Sequence, residues 1–175
     1  MEAIIESNVD HFTKLLARLN ERIKRSPSAL AFVTGFRLGR LIDRVVKAHT
    51  PAIRELRAFS AHIDEYRDPE KRLTDLIHTA IDAANLTSEI CLMAQRLQRP
   101  AGSWKRIAAL ADDWEALLQD LYIQSSPEAQ RELAEMEGAD PEDIADVRAV
   151  LAGRVSMEYE PLITLEELRR QLYLS

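Results

Sequence analysis

Residues 69–98, PEKRLTDLIHTAIDAANLTSEICLMAQRLQ, decide the fold. The stretch lies between Asp68-Pro69 and Arg99-Pro100, and after its first residue no Gly or Pro interrupts it. Its middle, 76–94, carries two formal charges, Asp82 and Glu89, in a chain that is 30% charged. Small residues run through it: Ala80, Ala83, Ala84, Thr87, Ser88, Cys91 and Ala94. A helix this apolar is buried on most of its circumference. At ~1.5 Å per residue it is ~45 Å long, the length of a small domain. The rest of the chain is therefore read as helices packed around it.

Proline placement segments that remainder. Five of the seven prolines follow an N-cap residue: Ser26-Pro27, Thr50-Pro51, Asp68-Pro69, Ser126-Pro127 and Asp140-Pro141. A capping oxygen followed by Pro at the first helical position marks a helix start, because Pro lacks an N–H that would be unpaired there anyway. No stretch alternates with period two, and no Asn-Gly or Asp-Gly turn occurs. The expected fold is all-α: a four- to five-helix antiparallel bundle around the central helix, with a short-helix acidic C-terminal extension.

Helix 1 is expected over about 2–25, with a seam of Ile5, Val9, Phe12, Leu16, Leu19 and Ile23. The seam packs within the bundle or makes a homodimer. Helix 2 is expected over about 28–48, and Gly35 and Gly39 predict close approach of another helix backbone. A short helix 3 over about 51–66 takes its apolar side from Ile53, Leu56, Phe59, Ile63 and Tyr66. Ser103 is expected to cap the helix after the central one, with a seam of Ile107, Ala111, Trp114, Leu118 and Leu121. Beyond Tyr122, short acidic helices are expected at about 127–137 and 141–152, stopped by Gly138 and Gly153. Thr164 and Glu167 form a capping box for a last helix at about 165–173. All 175 residues are read as one domain, 1–123 as core bundle and 124–175 as extension.

Charge is uneven. Residues 1–50 hold nine Lys/Arg and five Asp/Glu, a balance of +4. Residues 51–100 hold seven and eight, or -1, and residues 101–175 hold seven and sixteen, or -9. One cysteine, Cys91, excludes a disulfide framework and suits a reducing cytoplasm. The N-terminal residues read as no secretory signal, and no run reaches the ~18 apolar residues of a membrane span. No membrane partner is expected.

The basic end offers the clearest surface. Arg18, Arg22 and Arg25 on helix 1 and Arg37, Arg40, Arg44 and Lys47 on helix 2 recur at helical spacing. Phosphate contact needs cations so placed on a rigid element. No aromatic residue is read as interleaved with them for base stacking.

The central helix carries a polar stripe: Arg72, Asp75, His78, Asp82, Asn85 and Glu89. Asp75 and His78 have a spacing at which carboxylate and imidazole meet one ion, which makes Asp75, His78 and Asp82 the candidate metal ligands. A second such pair is absent, and Asp75 and Asp82 are ~10 Å apart along the axis. The stripe is read instead as the wet edge of a buried helix or as a partner for the arginines of helix 2. Arg72 and His78 also fit the loose Arg-x(4–6)-His pattern of helical HEPN ribonucleases. Arg44 with His49 and Arg57 with His62 fit it equally. No cofactor is implied.

The expectation is a non-enzymatic cytoplasmic subunit or regulator that binds another macromolecule, foremost a protein. The first alternative is a small helical nucleoprotein subunit gripping RNA or DNA backbone through the seven cations. The second is a HEPN-like ribonuclease using Arg72 and His78.

Overall fold

A computed structural model describes residues 2–25, 31–97, 101–136 and 138–159. Those residues form six α-helices, one 3-10 turn and no strand. The helices are α1 (Glu2–Arg25), α2 (Ala31–Ser60), α3 (Pro69–Arg96), α4 (Ala101–Ser125), α5 (Pro127–Ala134) and α6 (Pro141–Tyr159). The chain divides into two compact units, residues 1–121 and 122–175. Among the described residues no helix is long and apolar enough to cross a membrane.

The first unit is the all-α bundle expected around residues 69–98. On α3, Leu76, Ile77, Ala80, Ala83, Leu86, Thr87, Ile90 and Ala94 are buried. The hydroxyl of Thr79 donates to the Asp75 carbonyl (3.0 Å) and that of Thr87 to the Ala83 carbonyl (2.7 Å). Both polar groups are thus satisfied inside the helix that buries them. Ile5, Phe12, Leu16 and Leu19 of α1 are buried, so its seam is spent within the chain. Leu38, Ile42, Val45, Ile53 and Leu56 of α2 complete that side. Each fully buried Leu or Ile contributes about 1.5–3 kcal/mol relative to exposure.

Helix α4 closes the bundle with a different seam from the one expected. Ile107, Leu110, Trp114, Leu117 and Leu121 are buried, whereas Ala111 and Leu118 are half-buried. Both sets have helical spacing; Leu110 is larger than Ala111 and buries more apolar surface, which favours the rotation that also buries Leu117. Arg106 Nη1 donates to Asp43 Oδ1 at 2.6 Å and ties α4 to α2, although the pair is exposed and contributes little to stability.

The largest departure is at Thr50-Pro51, which starts no helix: α2 runs through it for 30 residues. Pro51 removes one N–H and leaves the Lys47 carbonyl without its usual partner, at a cost of about 3 kcal/mol. Val45, His49, Ile53 and Leu56 continue one buried face across the site, which offsets that cost. The helix ends at Ser60, and Ile63 is buried from a 3-10 turn, Ile63–Glu65. Tyr66 is 43% exposed and rests its ring on Phe59, with centroids 4.6 Å apart.

Other expectations shift locally. Asp68 occupies the N-cap of α3, but its side chain makes no capping hydrogen bond. Ala101 and Gly102 are already helical, so Ser103 lies inside α4 and does not cap it. A Cβ added to Gly39 would meet nothing within 4 Å, so no helix backbone approaches there. Ser26-Pro27, Arg99-Pro100, the Thr164/Glu167 box and the helix at about 165–173 lie outside the described residues.

In the second unit, Ser126 Oγ accepts from the Ala129 N–H at 3.2 Å, and Asp140 Oδ1 accepts from the Glu142 N–H at 2.9 Å. Both Ser-Pro and Asp-Pro signals therefore start helices as expected. α5 ends at Ala134 with Glu135 as its C-cap, earlier than expected, and Gly138 adopts φ 94° in the turn beyond it. Gly153 does not act as a stop, and α6 continues to Tyr159. Leu151, Ala152 and Val155 are buried on the continuing face, and Tyr159 stacks on Tyr122 with centroids 5.8 Å apart. Arg154 makes a two-pronged pair with Glu132 at 2.9 and 3.3 Å, which holds its guanidinium above the ordinary arginine range.

Candidate anion-binding cleft

Helices α1 and α2 pack antiparallel. The rings of Phe12 and His49 lie 6.0 Å apart near one end, and Leu15 to Leu19 face residues 37–44 toward the other. The buried sides of the two helices turn toward α3, and between their outer sides a cleft of about 310 Å³ remains. Leu15, Leu19 and Leu41 form its floor; Arg18, Arg37, Arg40 and Arg44 line it with charge.

This arrangement follows from spacing. Leu15 and Leu19 are one turn apart on α1, with Arg18 beside them. Arg37, Arg40 and Arg44 are three and four residues apart, one stripe over ~10 Å of α2. All four arginines are exposed. None has a carboxylate partner among the described residues. Arg40 instead holds its guanidinium 5.4 Å from the ring centre of Phe36, which is 61% exposed. Four cations about one concave surface repel each other and concentrate positive potential there. Arginine presents a planar fork that matches carboxylate and phosphate oxygens two at a time.

Of the seven cations expected to act together, the structure joins Arg18, Arg37, Arg40 and Arg44. Lys47 is exposed on α2 but outside the cleft. Arg22 and Arg25 belong to α1, and their side chains lie outside the described residues. Two features escaped the sequence reading. Leu15 adds an apolar floor, hidden because it stands beside the seam residue Leu16. Phe36 is an aromatic among the cations; its position next to Arg37 was the available signal.

The polar stripe of α3 is its wet edge. Arg72, His78, Asp82, Asn85 and Glu89 are exposed and Asp75 is half-buried. Among the described residues no ion pair joins Asp75, Asp82 or Glu89 to the α2 arginines, contrary to the pairing considered above. No group of three or more His, Cys, Asp or Glu that could hold a metal occurs among those residues. Arg72 and Asp75 line a second cleft of about 350 Å³ with Tyr66, Arg67, Asp68 and Lys71; His78 is not part of it.

Among the described residues, Cys91 and His49 are the two buried side chains whose pKa is shifted toward the neutral form. Cys91 is buried, and burial followed by the charge of Asp112 pushes its thiol pKa up, which disfavours the nucleophilic thiolate. His49 is 1% exposed, and burial pulls its pKa down to about 4, so the imidazole is neutral at pH 7. No family model, curated protein or solved structure matches this chain.

Proposed function

We propose that this chain is a non-enzymatic protein that acts by binding another macromolecule, and that the α1–α2 cleft is its binding surface. One observation carries the reading: Arg18, Arg37, Arg40 and Arg44 converge on an apolar floor with no carboxylate partner among the described residues. Such cations contribute nothing to holding the two helices together, and a bound anion relieves their mutual repulsion. A protein partner is the first assignment, because the leucine floor offers apolar area that charge recognition alone does not use. The free, buried Cys91 suits a reducing cytoplasm.

A polynucleotide backbone is the second assignment, favoured by one feature. Phe36 is exposed against Arg40, and an aromatic face beside cations is what single-stranded bases stack on.

The test is retention from lysate of the native host at low salt, with protein and nucleic acid both quantified. Comparison is made with a variant carrying Arg37→Glu, Arg40→Glu and Arg44→Glu. The expected result is a salt-sensitive ligand lost in the variant. Unchanged retention in the variant would reject the cleft as the binding surface. A high A260/A280 ratio abolished in the variant would move the assignment to nucleic acid.

A further inference from the structure

We infer that the occupant of the α1–α2 cleft is an acidic amphipathic helix of a partner protein, seated with aliphatic side chains on Leu15, Leu19 and Leu41 and carboxylates against the arginines. This rests on the reading of the cleft as the binding surface and names what it binds.

The spacing of the charges carries the argument. Arg37, Arg40 and Arg44 stand at positions i, i+3 and i+7 of α2. A second helix laid along the cleft presents carboxylates with the same rise when Glu or Asp occupies i, i+3 or i+4, and i+7 of its own sequence. Both elements then repeat every turn, and each guanidinium fork meets a carboxylate without either backbone bending. Arg18 stands on the opposite lip, on α1, and takes a carboxylate from the other flank of the same helix.

The floor supplies the second half. Among the described residues it is aliphatic: Leu15, Leu19 and Leu41 line it, and no described aromatic side chain does. An amphipathic helix fills an aliphatic groove with Leu or Ile from its apolar stripe, the usual helix-in-groove mode. A sugar-phosphate strand would use the arginines and leave the leucines uncovered. Phe36, the feature that favours bases, touches Arg40 but is not among the lining residues. Charge and floor together therefore select an acidic, apolar-striped helix over a polynucleotide.

The test is a displayed library of random helical peptides selected on the full-length chain, followed by fluorescence anisotropy with the enriched peptide. Enrichment of Glu or Asp at i, i+3 or i+4, and i+7 around Leu or Ile is expected. Affinity should fall at least about tenfold in Arg40→Glu/Arg44→Glu, and by a similar factor in Leu15→Gln, which alters a half-buried position. Replacing the peptide's acids by Gln or its aliphatics by Ser should each do the same. Unchanged thermal melts show that both variants fold. No enrichment, or a motif without acids, overturns the inference. A single-stranded RNA that binds the parent, is lost in Arg40→Glu/Arg44→Glu and ignores Leu15→Gln overturns it too, but leaves the cleft as the binding surface. If neither peptide nor RNA binding responds to the arginine reversals, both readings fall.

Discussion

The rings of His49 and Trp114 meet edge to face, with centroids 5.6 Å apart and planes at 88°, and no nitrogen of either side chain has a hydrogen-bond partner. The pair joins α2 to α4 at the centre of the first unit. Phe12 of α1 also neighbours the imidazole, with ring centroids 6.0 Å apart and planes tilted by 58°. The contact has the packing value of an aromatic pair and the cost of unsatisfied polar atoms.

His49 makes stability depend on pH. Its folded pKa, about 4, is below the ordinary imidazole value of 6.5, so the unfolded chain binds the proton more readily. Its contribution is full above pH 6.5 and is lost as the pH falls from 6.5 toward 4, about 3 kcal/mol in all. Many carboxylates titrate at the lower end of that window, so the informative quantity is a difference between proteins. Urea melts of the parent and of His49→Phe at several pH values should diverge as the pH falls, with the variant the less sensitive. Parallel pH profiles would contradict the burial of a neutral imidazole.

Pro51 lies inside α2 with exposed surface on one side and the face of His49 and Ile53 on the other. Pro51→Ala restores the N–H to the Lys47 carbonyl and relieves the ring clash, while it frees the unfolded chain slightly. A net gain of about 1–2 kcal/mol is expected, read as a higher urea midpoint with an unchanged slope. A loss would mean that the proline ring itself contributes to packing.

Gly39 and Gly153 sit inside helices with open space where a Cβ would stand. Gly39→Ala and Gly153→Ala should each stabilise the chain by about 0.5–1 kcal/mol. Gly138→Ala should do the opposite, because its φ of 94° strains any side chain. Thermal melts of the three single variants are sufficient to check the pattern of signs.

The arginines of the cleft should separate binding from stability. Arg40→Gln loses one cation–π contact, and Arg37→Gln and Arg44→Gln lose no ion pair among the described residues. Each should change the unfolding free energy by no more than about 0.5 kcal/mol while weakening ligand capture. A large stability loss would give these side chains a structural role and weaken the functional one.

Helical class and the core of the central element could be read from one dimension, because they follow from local chemistry. Apolar residues at helical spacing, prolines behind capping side chains and the small residues of 76–94 act within a few turns of themselves. The burial of Ile5, Phe12, Leu16 and Leu19 followed from their spacing alone. What needed the third dimension was every choice between locally equivalent options. Thr50-Pro51 is a sound helix start until Ile53 and Leu56 are seen to extend the face of Val45 and His49. Leu110 and Leu117 took the inner positions from Ala111 and Leu118 because burying Leu110 rather than Ala111 removes more apolar surface from water. The basic stripes were visible as lists of arginines. Their meeting over Leu15, Leu19 and Leu41 came from the antiparallel pairing of α1 with α2, which brings residue 18 beside residues 37–44, a pairing that no local rule encodes.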